Sequence, residues 1–130
     1  MWPPPLLDDR PEAQQILLGF VVPAVFGAIC GVVLGHSETA YTILTTVAVL
    51  GGVLSGYEHV GADEGVRRGF VGGGLFALGI LVAHAIEGSP PAFELPASLG
   101  SLAITYFVLG MAFGALGGWL RGRTQRSASR

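Results

Sequence analysis

The sequence predicts an all-α integral membrane protein: four transmembrane helices forming two hairpins of the same orientation, with both termini on the cytoplasmic side. Three observations predict it. Of 130 residues, 51% are hydrophobic and only 12% are charged, whereas a soluble domain carries about a quarter of its residues as charge. Four apolar runs, residues 16–35, 40–57, 70–86 and 99–120, compare with the roughly 20 helical residues that cross a hydrocarbon core of about 30 Å. All seven basic residues are arginine, and the four runs place every one of them on the same side. The same composition excludes disorder, because apolar residues are too many and net charge too small. A net charge of −2 leaves no basic footprint for nucleic acid.

The first 15 residues read as a cytoplasmic arm. Pro3, Pro4 and Pro5 favour an extended segment, with Trp2 free to sit at the membrane interface. Asp9 followed by Pro11 reads as a helix start, since proline suits the first helical turn. The run 16–35 competes with a secretory signal. Its flank is acidic and proline-rich, and no small-residue cleavage site follows, so a retained span is expected. The run 40–57 is short and needs help from its flanks. The run 70–86 contains Gly72, Gly73 and Gly74 in succession. Each costs on the order of 1 kcal/mol of helix propensity in water, but unpaired backbone in lipid costs more, so the helix is kept. The run 99–120 spans easily, and residues 121–130 read as a basic cytoplasmic tail. Strands of a membrane barrel would alternate strictly over about 10 residues, a pattern missing here.

Orientation follows from charge. The N-terminal arm, the loop 58–69 and the tail carry Arg10, Arg67, Arg68, Arg121, Arg123, Arg126 and Arg130. The two opposite loops carry Glu38, Glu87 and Glu94 and no basic residue. The positive-inside rule places the arginine side in the cytoplasm and the chain in the cytoplasmic membrane. No Asp, Glu, Lys or Arg is expected at the membrane centre, which argues against a proton relay or a voltage sensor.

Two segment pairs suggest an internal repeat: GFVVPAVF from Gly19 with GFVGGGLF from Gly69, and VLGGVLSGY from Val49 with ALGGWLRGR from Ala115. Chance matching in a Gly/Leu-rich chain is the competing account. Under the repeat, Pro23 and Gly73 align as candidate helix breaks. Glycines recur at four-residue spacing: Gly27, Gly31 and Gly35; Gly52 and Gly56; Gly69 and Gly73, followed by Ala77; and Gly110, Gly114, Gly118 and Gly122. Such stripes let helix backbones approach closely. They serve packing inside one bundle, or one of them faces another subunit.

The membrane-embedded hydroxyls, Thr42, Thr45, Thr46, Ser55, Ser101, Thr105 and Tyr106, read mainly as structural hydrogen-bonding groups. Cys30 has no partner for a disulfide or a zinc site and reads as a small packing residue. His36 with Glu38, and His84 with Glu87, lie at the outer ends of two helices and form a weak candidate set for a divalent metal. The inner loop gathers Glu58, His59, Asp63, Glu64, Arg67 and Arg68, as expected of local ion pairs and headgroup contacts. No nucleophile–base pattern or phosphate loop is present, so neither an enzyme nor a cofactor is expected.

The segment LGGVLSGYEHVGADEGVRRGFVGGGLF, residues 50–76, resembles small uncharacterised glycine-rich four-helix membrane proteins of prokaryotes. The resemblance covers about a fifth of the chain; it implies a four-helix membrane protein and carries over no functional residue. Small dual-topology fluoride channels share the length, but their asparagine and phenylalanine-rich segments are missing, and one-sided arginines oppose dual insertion. The functional expectation is a non-enzymatic membrane component that self-associates or serves another membrane protein as an accessory subunit, with the bilayer as its other partner. The alternative is a small oligomeric transporter or channel for a neutral or weakly polar solute.

Overall fold

The computed structural model describes residues 4–95 and 98–130; Trp2 and Pro3 of the expected extended arm lie outside the described residues. Four helices are long and apolar enough to cross a membrane: α1 (Glu12–Leu34), α2 (Glu38–Tyr57), α3 (Ala62–Glu87) and α4 (Leu99–Ala128). No strand occurs among the described residues.

Each start has a local cause. Ser37 caps α2 by accepting from the Ala40 N–H at 3.1 Å, and Ser98 caps α4 by accepting from the Ser101 N–H at 3.2 Å. Gly61 enters α3 at φ +96°, a conformation that favours glycine, and Gly88 ends it in the left-handed region at φ +80°. Asp63 and Glu64 occupy the first turn of α3, where the helix dipole favours negative charge.

Two boundaries differ from the sequence expectation. α3 begins at Ala62 rather than at residue 70, so Arg67 and Arg68 belong to a helix and not to a loop. α4 continues to Ala128, so most of the expected tail is helical. The apolar runs stop at the first charge, but a helix does not, because Arg and Glu are good helix formers. α3 also runs unbroken through Gly73. At Pro23 the helix persists too, with a π-turn over Leu17–Val21 ahead of the proline.

The chain ends and the α2–α3 turn meet at one end of the bundle. There the Leu7 N–H donates to the Glu58 carbonyl at 3.0 Å, and the Arg121 guanidinium donates to the Pro4 carbonyl at 2.7 Å. At the other end the α3–α4 loop folds back, with the Ala92 N–H on the Leu34 carbonyl at 2.8 Å. α3 packs along both α4 and α1, α2 packs along α4, and α1 and α2 touch little. The buried core, Cys30, Leu34, Tyr41, Phe76 and Ile80, fills the half away from the chain ends.

The seams are set by glycine. Along α3 and α4, Gly65, Gly69 and Gly73 face Gly110, Gly114 and Gly118. A Cβ on Gly110 would stand 2.9 Å from the Gly73 Cα, and one on Gly114 3.1 Å from the Gly69 Cα. α1 seats Gly27 and Gly31 against the backbone of Phe76 and Ile80, and Gly79 answers from α3, where a Cβ would stand 2.5 Å from the Ala24 carbonyl oxygen. α2 meets α4 through Gly56 and Gly117. Three stripe glycines are looser. A Cβ on Gly52 would meet only the Phe113 Cβ, at 3.7 Å; one on Gly122 would lie 3.7 Å from Gly61, and one on Gly35 would meet the Glu87 and Ser89 side chains at 3.0 Å.

Substitution at the two kinds of glycine therefore separates. Gly69→Ala drives a methyl into the Gly110 carbonyl and is expected to cost about 1–3 kcal/mol. Gly51→Ala meets nothing within 4 Å and leaves stability unchanged or slightly raised. Thermal unfolding of both variants in the same detergent checks this.

Candidate functional site

The half of the bundle nearest the chain ends contains a cleft of about 380 Å³. It lies between α1 and α2, which are joined at the far end and touch little. Val22 and Phe26 of α1, Val47 and Leu54 of α2, and Leu109 and Phe113 of α4 make its apolar walls. Gly52, Gly69, Gly72, Gly73 and Gly110 also line it, so its width comes partly from missing side chains. Its polar groups are Ser55, Glu58, Arg68 and Tyr106.

Arg68 is held by the consequence of Pro23. Proline has no N–H, so one carbonyl a turn earlier loses its intrahelical donor. The π-turn shifts the neighbouring register as well, with the Val22 N–H on the Leu17 carbonyl. The carbonyls left over are those of Leu18 and Gly19. Arg68 reaches across from α3 and donates to them, Nη2 to Leu18 at 2.8 Å and Nη1 to Gly19 at 3.4 Å. Its side chain lies over Gly72, one turn further into α3, where a Cβ would come within 2.7 Å of Nη1. Proline, arginine and glycine thus form one unit: a helix defect, the side chain that repairs it and the space that admits that side chain.

The remaining polar groups differ in how they are paired. Arg10 and Glu58 form an ion pair at 2.9 Å. The Ser55 hydroxyl is buried without a hydrogen-bond partner among the described residues, and so is the Arg68 Nε–H. Tyr106 closes the deep end, its hydroxyl 2.8 Å from that of Tyr41 and its ring edge-on to Phe76 at 5.5 Å. Phe26 stacks on Phe76 at 6.1 Å, so aromatic rings separate the cleft from the far half of the bundle. Thr45, Thr46 and Thr105 bond back to carbonyls of their own helices and do not face the cleft.

Arg121, unlike the partly buried Arg68, is a fully buried cation at 5% exposure. It donates to the carbonyls of Pro4 and Tyr57 and lies 5.2 Å above the Tyr57 ring, tying the N-terminal arm to α2 and α4. The sequence expectation had placed it in a solvated tail.

The outer-face metal candidates do not assemble. His36 Nε2 meets Glu87 Oε1 at 3.0 Å, and Glu87 also accepts from the Ser89 hydroxyl and N–H. Glu38 sits in the first turn of α2, and the buried His84 Nδ1 has no partner among the described residues. No group of three His, Cys, Asp or Glu side chains able to hold a metal occurs among the described residues.

Comparison of the chain with protein-family models, with curated proteins and with solved structures gave no match. The functional reading therefore rests on the cleft. Sequence reasoning named Arg68 for ion pairs and headgroup contacts but placed it in a loop and did not connect it with Pro23, because the apolar run of α3 begins only after the charges. The available signal was Pro23 on one span and an arginine with glycine four residues on in another.

His59 lies in the α2–α3 turn beside this unit. Burial lowers its pKa from 6.5 and the nearby Arg68 charge lowers it further, against opposing pulls from Asp8, Glu58 and Glu64. The fold thus favours neutral imidazole, and the unfolded chain binds the extra proton. Stability is expected to be full above about pH 6.5 and to fall as pH drops below it. Thermal midpoints measured between pH 8 and 5 check this, with a flatter profile expected for His59→Gln.

Proposed function

We propose that the chain is a non-enzymatic, multi-pass component of the cytoplasmic membrane that binds a membrane-borne amphiphile in the cleft between α1 and α2. One observation carries the reading: the cleft is apolar-walled, lies between α1 and α2 where these two helices touch little, and is bounded by the rings of Phe26, Phe76 and Tyr106. Its volume, about 380 Å³, lies within the range of ligand pockets. A cleft closed at one end binds and presents; it does not conduct. The alternative, a channel or transporter for a neutral solute, has less support, because the far half is filled by Cys30, Leu34, Tyr41 and Ile80.

An accessory role fits the outer surface. The glycine stripes face helices of the same chain, which leaves side chains such as Leu50, Leu54, Ile104 and Val108 to meet lipid or another membrane protein. The positive-inside rule, applied to the seven arginines, supports a cytoplasmic side for both termini and for the end of the bundle that holds the cleft. A thiol at Ser129→Cys, in a chain carrying Cys30→Ala, is expected to react with an impermeant reagent only from that side.

Gly52→Phe tests the cleft itself. Gly52 lines it with only the Phe113 Cβ nearby, so the ring enters open space rather than backbone. Native mass spectrometry of chains released from lipid nanodiscs should find retained lipid on the unmodified protein and lose most of it in the variant, at unchanged helical content. Equal retention by both chains, or none by either, overturns the reading.

A further inference from the structure

Resting on that reading of the cleft, we propose that its ligand is an anionic membrane lipid, with the headgroup on Arg68 and an acyl chain between the apolar walls.

The argument begins with the cost of the arginine. Arg68 stands six residues into α3, which starts at Ala62, or roughly 9 Å along the axis at 1.5 Å per residue. Its side chain then leans a further turn inward over Gly72. A cation beside apolar walls is costly and normally finds a counter-charge. Arg68 makes no ion pair: its hydrogen bonds within the chain run to the neutral carbonyls of Leu18 and Gly19. Glu58 lines the same cleft and its charge acts on Arg68, but its carboxylate is ion-paired with Arg10 at 2.9 Å.

The donor inventory points the same way. A guanidinium has five N–H donors. Two serve the α1 carbonyls, and Nε–H is buried with no partner among the described residues. Ser55, on α2, adds a buried hydroxyl that is also without a partner. Guanidinium donors and a hydroxyl lining one cleft match a phosphate, which accepts several charge-assisted hydrogen bonds at once. Basic pockets between membrane helices are a known way to seat such headgroups.

The walls decide between a lipid and a free anion. Beyond these few polar groups the lining is apolar or glycine: Val, Leu, Phe, Ala, Pro and Gly from α1, α2, α3 and α4. A soluble phosphate would leave that surface unfilled. An acyl chain entering sideways fills it while its phosphate stays at the depth of Arg68.

The test uses nanodiscs of equimolar phosphatidylglycerol and phosphatidylcholine with matched chains, and native mass spectrometry of the released protein. The intact chain is expected to retain phosphatidylglycerol over phosphatidylcholine by roughly tenfold or more, the scale of one charge-assisted contact. Arg68→Lys should keep a preference. Arg68→Gln alone exposes the α1 carbonyls and risks the fold, so the decisive variant adds Pro23→Ala, which returns an intrahelical N–H to Gly19. In this double variant lipid retention should persist while the preference falls toward unity. A double variant that keeps the preference, or an intact chain that retains both lipids equally, overturns the proposal. An intact chain that retains neither lipid overturns the cleft reading, and this proposal with it.

Discussion

In lipid the hydrophobic effect does not draw helices together, so a bundle rests on how closely its backbones approach. In this chain the α3–α4 seam sets that approach. Gly65, Gly69 and Gly73 meet Gly110, Gly114 and Gly118 so tightly that a methyl on almost any of them would strike backbone across the seam. The outer helices are added to this pair through separate glycines: α1 through Gly27, Gly31 and Gly79, α2 through Gly56 and Gly117. Because α1 leans on α3 and α2 leans on α4, no comparable force draws α1 and α2 together. The cleft between them is a geometric consequence of where the glycines are.

The two halves of the bundle resolve that gap differently. Away from the chain ends, bulky groups fill it: Leu34, Tyr41 and Phe76, with Phe93 folded in from the α3–α4 loop at 5.6 Å from the Tyr41 ring. Near the chain ends the same position in the cross-section is lined by Gly52, Gly72 and Gly73, and the space stays open. The described part of the N-terminal arm, from Pro4 on, is fastened by Leu7 to Glu58, by Arg10 to Glu58 and by Arg121 to Pro4. The Arg10–Glu58 ion pair thus sits at the edge of a cleft whose walls are apolar.

Much of the fold is legible in the residues, for reasons that also mark where legibility stops. Hydrophobic runs locate four helices because only helices satisfy their backbone in lipid. The runs misplace the start of α3 and the end of α4, because charge ends a hydrophobic run but does not end a helix. Four-residue spacing finds the glycine face of α4, yet it does not say which neighbour that face meets. It also misses Gly79 and Gly117, which lie off the stripes and serve the other seams. Sequence similarity between the halves does not carry over to environment either. Gly19 and Gly69 align, but nothing lies within 4 Å of a Cβ at Gly19, whereas Gly69 abuts Gly110. Gly51 and Gly117 align as well, one open and the other against the Val53 carbonyl. Partners in space, not positions in a repeat, decide what each glycine does.

The site illustrates the same limit at the level of chemistry. Pro23 alone reads as a kink, Arg68 alone as an interfacial charge, and Gly72 alone as one of three glycines in a row. Together they are a single device, because the proline frees carbonyls that only a long donor from another helix can reach, and the glycine gives that donor its path. A repair of backbone hydrogen bonding needs a donor of sufficient reach but does not need a charge. The choice of a guanidinium supplies donors beyond those the repair uses, in a cleft whose one carboxylate, Glu58, is already ion-paired with Arg10. Under the proposed reading the complement to those spare donors arrives from the bilayer, and the cleft is half of a site whose other half is a lipid.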